Sequence, residues 1–313
     1  MVTASSSRNP AIPRFVVALA VLVALRLALG KVAMPEALLA LGNALTTLLF
    51  IALPVYAVFQ VSKAAWRPAM AAGFVAGGVL VQAGGTLLAQ GPLRGTDLPA
   101  SFAIALAQAG LILWCSGLGA GVALLLKDKN LLIPISVFLV GFDVFLVFAP
   151  VGPTRMIMER APEALPSVAL QVPSVQATPG VGPVQSFAFV GPADLLFMAM
   201  FFVALHRFGM RSQQTAVWLV PTILVYLVLA FQLGAVPLLV PIGLCVLAVN
   251  APEFKLTGEE KASTAVIGLI SLALAISAFA MPRPPAEPET AGLSPEQREL
   301  AETPAQAPPS PPR

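Results

Sequence analysis

Two of the four aspartates in this chain, Asp143 and Asp194, stand inside long apolar runs, whereas Asp97 and Asp128 fall in short polar connections. Holding an ionisable side chain at mid-bilayer depth costs about 2.5–3.5 kcal/mol even on lenient insertion scales, so such a residue marks a functional site by default. Two carboxylates brought face to face cannot both ionise readily. The pair would titrate as one unit, with one member protonated while the other carries the charge. That division provides an acid and a base in one place. Such a pair could hydrolyse a peptide or ester bond, the base activating a water while the acid polarises a carbonyl.

The surroundings of the two acids are those of a chain dissolved in lipid. Residues are 58% hydrophobic and only 11% charged, with a mean hydropathy of +0.87, where a soluble domain carries roughly a quarter charged residues. The net charge of +3 is too small to indicate nucleic-acid binding. Cys115 and Cys245 lie in apolar stretches and read as small buried hydrophobes. With a single histidine, His206, and no HExxH, the chain offers no zinc ligand set, and neither a metal nor another cofactor is expected.

Apolar runs near 15–30, 37–61, 68–90, 101–126, 131–151, 186–206, 215–233, 235–250 and 264–281 predict about nine transmembrane helices, an all-α polytopic bundle. The first run follows Arg8 and Arg14 as a signal peptide would. Arg26 interrupts it and no small-x-small cleavage site follows, so it reads as an uncleaved helix whose Arg26 snorkels to an interface. Lys and Arg divide unevenly between alternating loops. One side receives Arg8, Arg14, Lys63, Arg67, Lys127, Lys129, Arg207, Arg211, Lys255 and Lys261, the other Lys31, Arg94, Arg155, Arg160 and Arg283. That asymmetry puts the N-terminus in the cytoplasm and the C-terminal tail outside.

On this segmentation each acid is twelve residues from the inner end of its helix, about 18 Å deep. Antiparallel neighbours would bring them to one level. The organisation expected is an N-terminal scaffold over 1–130, a core over 131–250 holding both acids, an additional helix within 251–281, and a disordered Pro-rich tail over 282–313. The long external connection 152–185 contains Pro166-Ser167-Val168-Ala169-Leu170-Gln171-Val172-Pro173, which suits a short strand.

Three landmarks resemble the presenilin and signal peptide peptidase family of intramembrane aspartyl proteases. Gly141-Phe142-Asp143-Val144-Phe145-Leu146-Val147-Phe148 looks like the family's Tyr-Asp helix. Phe187-Ala188-Phe189-Val190-Gly191-Pro192-Ala193-Asp194 resembles the Gly-x-Gly-Asp motif with its apolar lead-in. Pro237-Leu238-Leu239, followed by Pro241, is similar to the Pro-Ala-Leu motif that packs beside the acids. The match covers about 131–250. Three positions depart from the pattern: Phe142 replaces tyrosine, Ala193 replaces glycine and Leu238 replaces alanine. A helix at 264–281, beyond the last landmark, has no place in the family's nine-helix order.

The resemblance implies an intramembrane aspartic endopeptidase of a bacterial or archaeal cytoplasmic membrane. It would cleave transmembrane or signal-peptide helices with Asp143 and Asp194, and Phe142, Gly191, Ala193, Pro237, Leu238 and Leu239 would frame the site. An unwound substrate would pair with a strand at Val168, Ala169, Leu170, Gln171 and Val172. Buried acids and proline-broken helices equally suit a proton- or cation-coupled transporter. A catalytically silent protein of the same fold, or two acids that bond separately and do no chemistry, are further readings. Ser116 and His206 suggest a rhomboid-like dyad only faintly, because Trp114 stands where glycine would be and His206 ends its helix.

Overall fold

The computed structural model describes residues 10–29, 32, 34–160, 165–175, 186–230 and 236–282. The class is all-α. Five long helices run through the first half: α1 (Ala11–Leu29), α2 (Glu36–Ser62), α3 (Pro68–Gln90), α4 (Asp97–Leu125) and α5 (Leu132–Phe148). Two short helices, α6 (Pro153–Arg160) and α7 (Leu165–Val168), lead into a hairpin of β1 (Leu170–Pro173) and β2 (Ser186–Val190). Helices α8 (Pro192–Arg207), α9 (Ser212–Ala230), α10 (Leu239–Asn250) and α11 (Gly258–Ala280) complete the described chain. Of the Pro-rich tail expected over 282–313, all beyond residue 282 lies outside the described residues, as do 161–164 and 176–185 of the external connection.

Among the described residues six helices, α1 to α5 and α11, are long and apolar enough to cross a bilayer, against the nine runs the sequence suggests. Prolines account for two of the three that fall short. Proline supplies a fixed φ and lacks an N–H, so it favours the first helical position and disfavours helix in the residue before it. The run expected at 186–206 therefore begins as strand, and α8 starts only at Pro192, leaving 16 residues. The run expected at 235–250 becomes a helix only after Pro237, leaving 12 residues in α10. Pro241 sits in the first turn of α10, where no intrahelical donor is needed, so it does not break that helix. Helix α9 runs over 19 residues, Ser212–Ala230, and the rest of the run expected at 215–233 lies outside the described residues.

Packing follows small residues. Helices α3 and α4 lie against each other where Gly78 meets the backbone of Trp114 and Gly117 meets that of Val75. Helix α4 then packs on α8, where a Cβ on Gly119 would stand 2.8 Å from both the Ala199 Cβ and the Met200 amide. The core around α8 is aromatic and aliphatic, with Phe201, Phe202, Leu205 and Leu219 fully buried. A Schellman turn closes α8: Gly209, at φ +66°, lets Met210 N–H reach the Leu205 carbonyl at 2.8 Å and Gly209 N–H reach that of His206 at 3.2 Å. Helix α5 packs chiefly on α11 and α10, and it scarcely touches α8. The two aspartate helices are therefore not directly packed neighbours, and α10, which touches both, connects them.

Gly119 and Gly73 make a paired test of this packing, since nothing stands within 4 Å of a Cβ on Gly73. Thermal unfolding followed by circular dichroism in detergent should show Gly119→Ala destabilised by about 1–3 kcal/mol. Gly73→Ala should unfold at the wild-type temperature or slightly above it.

Candidate active site

The turn Gly191-Pro192-Ala193-Asp194 opens α8, with Gly191 as N-cap in extended conformation, Pro192 first in the helix and Asp194 third. Asp194 Oδ2 accepts the Gly191 N–H at 2.9 Å. A carboxylate here satisfies a donor at the helix start and lies at the positive end of the helix dipole. Cys115 on α4 donates its thiol to the Pro192 carbonyl at 3.3 Å, which ties this turn to the scaffold. The cysteine is thus buried, as its sequence setting suggests, and it also has a polar partner.

Asp143 reaches the same region from the middle of α5. Its Oδ2 accepts the N–H of Leu239 at 2.7 Å. Leu239 is the first residue of α10, and its amide is one of the donors that a helix N-terminus leaves without an intrahelical partner. The Pro-Leu-Leu landmark therefore contributes a backbone donor, with Pro237 fixing where the helix begins and Leu238 buried beside it. Phe142 stacks on Phe138, one turn earlier, with ring centroids 5.4 Å apart and planes at 16°. Where the family pattern has a phenol, this chain has a packed ring. Ala193 is half-buried at the second position of α8.

The two acids meet. Asp143 is 6% exposed and Asp194 9%, and each carboxylate lies within the electrostatic field of the other. Each uses one oxygen to accept a helix-start amide, and the second oxygen has no hydrogen-bond partner among the described residues. That leaves a carboxylate oxygen on each side available to a water or a peptide group. Tyr226 on α9, half-buried, also lies within the field of Asp143. Sequence reasoning passes over this phenol. It is one of only two tyrosines in the chain and lies in an apolar run, which was the available signal.

The strand is shorter than the sequence suggests and more deeply placed. Val168 ends the short helix α7 and Ala169 forms a bend, so only Leu170, Gln171 and Val172, with Pro173, are extended, and all of them are buried. β1 pairs antiparallel with β2, matching Leu170 with Val190 and Gln171 with Phe189. Polar side chains from four helices hold the segment. Arg26 donates to the Gln171 carbonyl at 3.3 Å, to the Gln171 side chain, and to Gln108 Oε1 at 2.7 Å. Gln82 donates to the Ser167 carbonyl at 2.8 Å, and Asn43 accepts the Val175 N–H at 2.7 Å. Arg26 thus turns inward instead of snorkelling outward, because two glutamine side chains and a strand carbonyl together replace the water its guanidinium would otherwise need.

The Ser116 and His206 dyad does not form. Ser116 is fully buried and donates to the Ile112 carbonyl of its own helix at 2.7 Å, while His206 is exposed at the end of α8. The cation that meets exposed carbonyls there is Arg207, which donates to those of Ala123 at 2.9 Å and Leu126 at 2.8 Å at the C-terminus of α4. Comparison with known proteins finds no family model, no curated protein and no solved structure that matches the chain.

Removing the acceptor from Asp143 should be felt in stability independently of any activity. Asp143→Leu leaves the Leu239 N–H unpaired and should lose about 1–3 kcal/mol. Asp143→Asn retains an acceptor and should unfold no earlier than wild type, as read by denaturant titration of the purified protein.

Proposed function

We propose that this chain is an integral membrane aspartyl protease that hydrolyses peptide bonds of transmembrane or signal-peptide helices, with Asp143 and Asp194 as its catalytic pair. The observation that carries the reading is a pair of buried carboxylates from separate helices that lie within electrostatic range of each other, each steadied by one backbone amide and each with an oxygen to spare among the described residues. Placement in a membrane is supported by the six long apolar helices and by large apolar residues that face outward, such as Leu80, Leu87, Leu125 and Leu269. The charge asymmetry of the loops orients the N-terminus to the cytoplasm.

In the proposed reaction one carboxylate takes a proton from the attacking water, whose oxygen bonds to the scissile carbonyl carbon. The protonated partner gives its proton to the carbonyl oxygen. Collapse of the tetrahedral diol breaks the C–N bond as the amine takes the proton drawn from the water, and the carboxylate that gave its proton recovers one from a diol hydroxyl, leaving a carboxylic acid product and the pair as it began. No covalent enzyme intermediate is required. Tyr226, within the electrostatic field of Asp143, would supply a phenol that Phe142 does not.

A helical substrate must unwind before its carbonyl can be attacked, and its freed backbone then needs partners. The outer edge of β1 is occupied, since the Gln171 carbonyl points to Arg26. By the alternation of an antiparallel ladder, Phe189, opposite Gln171, turns its own backbone groups to the outer edge of β2. Among the described residues no strand covers that edge. The substrate strand is therefore better placed on β2, which leads directly to Asp194, than on Val168–Val172.

Two expectations follow for purified protein in liposomes with helical peptide substrates. Asp143→Asn and Asp194→Asn should each lower cleavage by at least about 10²-fold while remaining inserted. Failure of the inserted wild type to cleave any signal-peptide or type II transmembrane helix would count against the protease and in favour of a transporter or a silent relative. Phe189→Pro removes the outward N–H of β2 and should slow cleavage markedly, whereas Phe189→Leu should not, as measured by product formation at a fixed substrate concentration.

A further inference from the structure

Helix α11 lies beyond the region of the family resemblance, yet it is fastened to α5, the helix of Asp143, at three heights. At the inner end Asn130 Nδ2 donates to Glu260 Oε1 at 3.2 Å, and at the outer end the rings of Phe148 and Phe279 lie 5.3 Å apart. Between them Ser271 makes an unusual contact. Its Oγ donates to the Val137 carbonyl at 2.6 Å and accepts the Gly141 N–H at 3.0 Å. Val137 and Gly141 are four residues apart, so these are the two groups that an uninterrupted α-helix pairs with each other. The hydroxyl thus bonds both backbone groups of one helical step of α5. Gly141 admits it: a Cβ at that position would run into the Ser271 carbonyl and hydroxyl. Asp143 follows two residues later.

We infer that Ser271 is a positioning residue, through which α11 sets the turn of α5 that carries Asp143 and hence the alignment of its carboxylate with the Leu239 amide and Asp194. This rests on the proposal that the two aspartates are a catalytic pair. Neighbouring elements support the assignment. Helix α10 presents a backbone amide to Asp143, α8 presents the charge of Asp194, α9 presents Tyr226, and α11 presents the Ser271 hydroxyl to the backbone just before it. Ser271 is itself buried, 5% exposed, although most of α11 faces outward. Without the hydroxyl, α5 loses both backbone tethers to α11 one half-turn before Asp143, and the carboxylate is no longer held in register with its two partners.

The test compares wild type, Ser271→Ala and Ser271→Thr in two measurements on the purified full chain. For a cleaved helical peptide, Ser271→Ala should lower kcat at least about tenfold with KM unchanged, because a small misplacement of a reacting group is expensive in rate. Ser271→Thr keeps the hydroxyl and should recover most of that loss. Independently of turnover, pH-difference infrared spectroscopy should show the carboxyl band of the pair, assigned with Asp143→Asn, titrating over a different pH range in Ser271→Ala and over the wild-type range in Ser271→Thr. A Ser271→Ala protein with wild-type kcat and a wild-type infrared titration overturns the inference. If wild type cleaves nothing, the protease reading fails, while the infrared titration still decides the role of Ser271: displaced, it stands; unmoved, it falls.

Discussion

A carboxylate inside an apolar bundle persists only where the protein supplies hydrogen-bond donors, and here both donors are backbone amides at helix starts. Helix N-termini are suited to this, because their first amides have no partner within the helix and their dipoles favour negative charge. Two prolines decide where those starts fall. Pro192 opens α8 directly after Gly191, the residue that donates to Asp194, and Pro237 holds back α10 until Leu239, the residue that donates to Asp143. The same prolines make α8 and α10 short and leave the approach to Asp194 extended as β2. Short helices, a hairpin buried among them and a pair of acids are thus consequences of one placement.

The first half of the chain supports that placement through its few polar side chains. Arg26, Asn43, Gln82 and Gln108 lie in otherwise apolar helices, where each would be a liability if it faced lipid. All four turn inward, and three of them bond the segment around β1 while Gln108 receives Arg26. The hairpin is thereby tied to α1, α2 and α3, and the turn at Asp194 is tied to α4 through Cys115. Close glycine contacts between α3, α4 and α8 complete the path from scaffold to site. A substitution in the N-terminal helices can therefore alter the site without touching either aspartate.

Much of this was legible in the sequence, and the reasons for the remainder are physical. The long apolar helices and the buried positions of Asp143 and Asp194 follow from hydropathy, which reports on solvent preference over a whole run. Hydropathy cannot tell a strand from the first turns of a helix when both are apolar, so the segment at 186–190 read as helix. The meeting of the acids depended on a third element, α10, because α5 and α8 scarcely touch, and no depth count along two helices could show that. Arg26 reads as a snorkelling residue because its partners, Gln108 and Gln171, stand on other elements far along the chain, and nothing local in the sequence marks them. Ser271 was invisible for the same reason: a serine in an apolar helix has many uses, and only the approach of α11 to Gly141 distinguishes this one.

The measurement that bears most directly on the account is cleavage of a helical membrane peptide by the purified protein in liposomes prepared in ¹⁸O-labelled water, with the products analysed by mass spectrometry. The account predicts two fragments, with a single ¹⁸O atom in the new carboxylate and no product diverted by an added nucleophile such as hydroxylamine. Recovery of intact peptide from correctly inserted wild type, or a hydroxamate product that reveals an acyl-enzyme, would contradict it.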